Sequence, residues 1–166
     1  DVATVPIKFA MSKYEELTDS GMSEIEAVPQ TVGTFLKYFN MGLDYFFNGY
    51  PQILAKMRKL NPDATILLIG AYNPYIKTSL IEGNEFIAIG NALSAGTQLQ
   101  NTQLKLWAKQ YNCIYVDQFE EGYYFPPQTL EYALEGNALS THPVYEGHAT
   151  IRDITDALPD VLRAAD

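Results

Sequence analysis

The chain is short of the residues that most often announce a chemistry. It holds 166 residues but one cysteine and two histidines. The single Cys113 excludes an internal disulfide and leaves the redox compartment open. Lys and Arg total 11 against 20 Asp and Glu, a net charge of −9. So few cations argue against nucleic acid, whose phosphates demand a basic surface, and against anionic membrane surfaces. No apolar run approaches the ~20 residues of a membrane span. No signal-peptide pattern stands at the front, and the first residue is Asp1 rather than methionine, so the expected start was trimmed, processed or lies elsewhere. Gly90-Asn91 and Gly96 lack phosphate-loop spacing. His142, Glu146 and His148 match no zinc pattern, so neither metal nor organic cofactor is expected.

What is present is apolar and aromatic. At 47% apolar, with twelve Tyr and eight Phe, the chain can build a real core, and residues 1–166 read as a single domain. Residues 31–60 carry the strongest periodicity. Val32, Phe35, Leu36, Phe39, Leu43, Phe46, Phe47, Tyr50, Ile53, Leu54, Met57 and Leu60 recur at steps of three and four, which predicts one apolar helical face. Gly49 and Pro51 predict a kink or break in it. Lys56, Arg58 and Lys59 suit the negative end of the helix dipole, and Asn61-Pro62-Asp63 stops the helix. Upstream, residues 6–18 read as helical and 19–30 as a loop.

Ala64 to Ile69 is a short unbroken apolar run closed by Gly70, the pattern of a strand covered on both faces. The loop Ala71-Tyr72-Asn73-Pro74-Tyr75 follows it. Residues 76–94 give no single reading. A helix is predicted over 98–111, ended by Asn112, and Cys113 to Val116 form a second buried strand capped by Asp117. Residues 118–139 read as irregular, with a short helix at 128–134. Residues 146–164 make a closing amphipathic helix. The order helix, strand, helix, strand, helix predicts an α/β fold with a parallel sheet and right-handed crossovers. Two strands are few for such a sheet, so the remaining strands are expected from outside this chain.

Three blocks carry a resemblance. They are Leu60-Asn61-Pro62-Asp63 through Gly70-Ala71-Tyr72-Asn73-Pro74, then Asn101 through Asp117 with Trp107-Ala108 and Tyr115-Val116-Asp117, then His142-Pro143 with Gly147-His148. Together, over residues 31–166, the chain resembles the C-terminal part of the SGNH (GDSL-type) hydrolases. The resemblance implies a three-layer αβα flavodoxin-like parallel sheet, incomplete in this chain, and a serine ester hydrolase: an esterase, a lipase or a carbohydrate deacetylase. It implies His142 as catalytic base. The family's Gly-Asp-Ser nucleophile block is missing, since Asp19-Ser20-Gly21 has another order. So is its Gly-x-Asn-Asp oxyanion motif, whose last aspartate Asp1 is placed to be. Leu139 stands where the family carries the aspartate that orients the histidine. A backbone carbonyl, Glu135 or Asp117 is left to support His142.

The expected partners are therefore a complementary N-terminal segment of the same protein, bearing the serine and the oxyanion donors, and a small-molecule ester. This chain alone is not expected to be active. Tyr72, Asn73 and Tyr75 stand just past a strand end, where open α/β sheets bind ligands, and are the candidate substrate-binding residues. His148 and Tyr123 to Pro127 read as packing or surface, and Ser140 and Thr141 as loop or cap hydroxyls. The alternative is a non-catalytic binding or structural module, favoured by Leu139 and the missing nucleophile. A secreted bacterial protein is compatible with the lack of disulfides and the acidic, Tyr-rich composition.

Overall fold

A computed structural model describes residues 4–71 and 87–117, together with Ala149. Their order is α1 (Thr4–Asp19), α2 (Glu24–Leu60), β1 (Leu67–Ile69), α3 (Ile87–Gln110) and β2 (Ile114–Val116). β1 and β2 are parallel, with Leu67 opposite Ile114, Leu68 opposite Tyr115 and Ile69 opposite Val116.

Helix ends follow local chemistry. α1 closes on Gly21 at φ +88°. There Gly21 N–H donates to Thr18 O at 2.9 Å and Met22 N–H to Leu17 O at 3.1 Å, the paired bonds of a Schellman cap. α3 ends the same way through Asn112 at φ 52°, with Cys113 N–H donating to Ala108 O at 2.7 Å. At the start of α2, Ser23 sends its hydroxyl (2.6 Å) and its N–H (3.3 Å) to Glu26 Oε2, a capping-box pairing. Those hydrogen bonds, the hydroxyl's first, hold the Glu26 carboxyl below its ordinary 4.5.

Two apolar clusters share α2 and α3. The first joins Ile7 and Ala10 of α1 to Val28, Phe35 and Phe39 of α2 and to Ile89 and Leu93 of α3. The ring of Phe39 lies against Gly96, where a Cβ would collide with it. The second joins Leu54 of α2 to Ile66 and Leu68 beside and on β1 and to Leu104, Trp107 and Ala108 of α3. Tyr50 stacks on Trp107 at 5.5 Å between centroids, and Phe46 meets the same indole at 5.4 Å.

The expected three-layer αβα flavodoxin-like sheet is not what these residues form. Helix takes 78% of them, and the sheet is two strands of three residues. Helix α2 also runs past its expected start and through its expected break. Residues 24–30, expected as loop, belong to α2, and the helix runs on through Gly49 and Pro51 to Leu60. An interior proline costs roughly 3 kcal/mol. Burying Leu54 stabilises by about 2 kcal/mol, and each aromatic pair on Trp107 adds about 1 kcal/mol. Packing around Pro51 therefore offsets its penalty. Asn48 and Gln52 also send side-chain amides to the carbonyls of Asp44 and Asn48, both at 2.8 Å, beside the interruption. Nor is β1 covered on both faces: Leu68 is buried, while Ile69 is 52% exposed.

Arg58 ties this second cluster together. Its guanidinium donates to Tyr111 O at 3.0 Å, Pro62 O at 2.9 Å, Ala64 O at 2.7 Å and Asn112 O at 2.7 Å. One side chain thus joins the end of α2, the approach to β1 and the turn before β2. Cys113, expected in the core, is half-buried beside it.

Candidate functional site

Because β1 and β2 are parallel, both leave the sheet on the same side. Gly70 N–H extends the ladder by donating to Val116 O at 2.8 Å. One residue later the pairing changes partner. Asn101, from α3, accepts from Ala71 N–H at 2.8 Å through Oδ1 and donates to Ala71 O at 2.7 Å through Nδ2. A carboxamide carries both a donor and an acceptor, so it takes up the backbone of one extended residue as a neighbouring strand would. Asn101 is 5% exposed, and both bonds form where water competes little.

Tyr115 closes the inner wall of this corner. Its hydroxyl lies over Gly70, so close that a Cβ there would overlap it. That hydroxyl is buried, and among the described residues the Asp117 carboxylate approaches it outside strict bonding geometry. Burial, with the nearby Asp117 charge adding to it, pushes the phenol up to about 12, so it stays protonated through the neutral range. Asp117 Oδ2 binds Lys105 Nζ at 2.8 Å, and the same ammonium sits 5.1 Å above the Tyr115 ring. Both charged groups are about half exposed. An exposed pair of this kind is worth at most about 1 kcal/mol, so it forms a polar rim that can open.

The corner offers a phenol, an ammonium, a carboxylate and fixed backbone at the C-terminal ends of parallel strands, the usual place for a ligand in such a unit. Among the described residues it holds no pairing of nucleophile with base. Asp117, one of the carboxylates left to orient His142, is engaged by Lys105. Of the candidate residues from the sequence, Tyr72, Asn73, Tyr75 and His142 all lie outside the described residues, as do Glu135, Leu139, Ser140 and Thr141. The described chain reaches Ala71, the residue before Tyr72.

A second concavity runs along α2. It is an open trough of about 490 Å³ between Val5 and Pro6 at the start of α1 and Tyr38, Tyr45, Tyr50 and Ile53 of α2. Among the described residues its lining is apolar and aromatic, without an ionised side chain. Among the described residues no group of three or more His, Cys, Asp or Glu is placed to hold a metal ion, and no helix is long and apolar enough to cross a membrane.

Sequence reading missed Asn101 and Arg58 as structural agents. Asn101 had a signal: a polar residue three before Leu104 and seven before Ala108, on the face of α3 that is otherwise buried. Arg58 had none beyond its place in a basic last turn.

Comparisons with family models, with curated proteins and with solved structures return no match to this chain.

Proposed function

We propose that the chain is the base-bearing part of a serine ester hydrolase. A complementary N-terminal segment of the same protein would supply the serine and the oxyanion donors. The observation that carries this reading is the corner at the strand exits. Two parallel strands joined through α3 end side by side there, and Asn101 fixes Ala71 directly before Tyr72-Asn73-Pro74-Tyr75. The resemblance of residues 31–166 to SGNH hydrolases supports it from the sequence side.

In the proposed reaction the serine hydroxyl attacks the ester carbonyl. His142 takes the serine proton and passes it to the departing alcohol, leaving an acyl-serine. Water, deprotonated by His142, then releases the acid and restores the serine. Tyr72, Asn73 and Tyr75 would line the ester pocket. No metal or organic cofactor takes part.

The test is complementation. The chain is mixed with a segment bearing Gly-Asp-Ser, association is followed by native mass spectrometry, and p-nitrophenyl acetate hydrolysis is measured. Turnover blocked by a fluorophosphonate and abolished by His142→Ala is expected. Turnover that survives His142→Ala would sink the base assignment, and none from the intact pair would sink the hydrolase. The open apolar trough on α2 favours a second reading, a non-catalytic binding module. On that reading the chain is a stable monomer that gains nothing from a complement.

A further inference from the structure

We propose that the apolar ridge along the middle of α2 is a self-association surface, on which a second copy of this chain docks its own α2 antiparallel, across a two-fold axis at Gly49. Met41, Tyr45, Gly49, Ile53 and Met57 stand at four-residue spacing and so share one ridge of the helix. All four of its side chains are exposed, Tyr45 at 76% and Ile53 at 56%. A contiguous apolar patch left in solvent marks an interaction surface.

Three observations name the occupant. First, the ridge reads the same from either end. Tyr45 and Ile53 lie four residues either side of Gly49, and Met41 and Met57 lie eight. A two-fold axis at Gly49 therefore sets Tyr45 against the partner's Ile53 and Met41 against the partner's Met57, each pair twice over. That self-matching is what an isologous contact needs. Second, each copy carries both a knob and a hole. Tyr45 stands out from the ridge, and beside it runs the open trough of about 490 Å³. A Cβ at Gly49, in the trough wall, would meet nothing within 4 Å, so the backbone there is open to close approach. Among the described residues the lining has no ionised side chain, so nothing in it selects a charged ligand. Third, the flanking charges complement themselves. Asp44 and Lys56 are exposed on the adjacent ridge, five residues before Gly49 and seven after it. An antiparallel copy brings the partner's Lys56 level with Asp44 to about 3 Å along the helix, the rise of two residues. A parallel copy would set like charge against like.

Two helices that cross once bury less than about 1,200 Å² in total, so the dimer is reversible and depends on concentration. The contact does not rest on the hydrolase reading and survives its failure.

The experiment is sedimentation velocity on the full chain from about 1 to 300 µM, the range that brackets such an affinity. A closed dimer that grows with concentration is expected. Tyr45→Glu should keep the circular dichroism of the parent chain, because the side chain is already exposed, and weaken the dimer by about tenfold or more. Ile25→Glu is the control. Ile25 is 85% exposed but about four turns before Met41, and its replacement should leave the dimer unchanged. Asp44→Lys and Lys56→Asp should each weaken the dimer by about threefold, and the double reversal should restore it. A chain that stays monomeric to the top of that range keeps its trough for another occupant and overturns the assignment. So do open-ended oligomers, a dimer that withstands Tyr45→Glu, equal loss in Ile25→Glu, or a double reversal that restores nothing.

Discussion

Replacing Arg58 with alanine is expected to remove a large part of the stability of the second cluster. Four carbonyls lose a charged donor, but they do not lose it equally. Those of Pro62 and Asn112 stand in exposed surroundings and regain water. Those of Tyr111 and Ala64 are part-buried and are left poorly served. Counting about 1.5 kcal/mol for each of the latter two and little for the others gives a loss of about 3 kcal/mol. Against a total stability of about 5–15 kcal/mol that is about a fifth to three fifths. With a urea slope of about 2 kcal/mol per M, the midpoint should fall by about 1.5 M. The thermal midpoint should fall by about 6–12 °C. Arg58→Lys should recover less than half of the loss, because one ammonium cannot reach four carbonyls on two sides of a planar fork. Lys59→Ala, an exposed neighbour in the same basic turn, should stay within about 0.5 kcal/mol. An Arg58→Ala loss as small as that of Lys59→Ala would refute the reasoning and return Arg58 to the role of a simple dipole partner.

Gly96→Ala should lower the urea midpoint, by about 1–3 kcal/mol in stability, because the new methyl drives into the Phe39 ring; a gain of helix stability with no such loss would count against that contact. Glu26 is held below its ordinary 4.5 by Ser23, so its stabilising effect is present above about pH 4.5 and disappears as pH falls through the lower folded value. Acid titration followed by circular dichroism should show Glu26→Gln with a flatter profile than the parent chain, and identical profiles would count against the capping pair. Tyr115 has the opposite sign: its raised value contributes stability below pH 10 that is lost as pH climbs toward about 12. Difference absorbance at 295 nm between the parent chain and Tyr115→Phe should place this phenol's ionisation well above pH 10, and a component ionising near pH 10 would contradict its burial.

The strands were legible in the sequence because their signal is short-range. Ala64 to Gly70 and Cys113 to Asp117 are apolar runs with stops, and the structure places β1 and β2 inside them. The end of α3 was legible for a similar reason, since Asn112 tolerates the left-handed turn that the cap needs. α2 was misjudged where two local rules conflict. Pro29 and Pro51 argue for breaks, whereas Ser23 with Glu26 argues for a start at 24 and Leu54, Phe46 and Tyr50 argue for continuity. Packing against Trp107 decides the second conflict, and a partner fifty residues downstream cannot be read from spacing within the helix. The α/β expectation failed as a fold for a related reason. It took helix and strand alternation as evidence of layers, and in the described residues the helices pack chiefly on one another. Of the candidate site only its approach is described: Ala71 and its grip by Asn101 are seen, but Tyr72, Asn73, Tyr75 and His142 are not among the described residues.

The two apolar clusters lie along one long beam, α2, and are joined a second time through α3. α2 spans 37 residues, about 55 Å at 1.5 Å per residue. Leu43 serves the first cluster and Phe46 the second. Less than one turn of helix therefore carries the mechanical connection along α2. Asp44 and Tyr45, which lie within that turn, face solvent. A protease nick or a pair of glycines there would leave the apolar contacts of both clusters in place yet cut their connection along α2, leaving α3 to join them. Melting of the two clusters would then be coupled through α3 alone, with the strand-exit corner following the second.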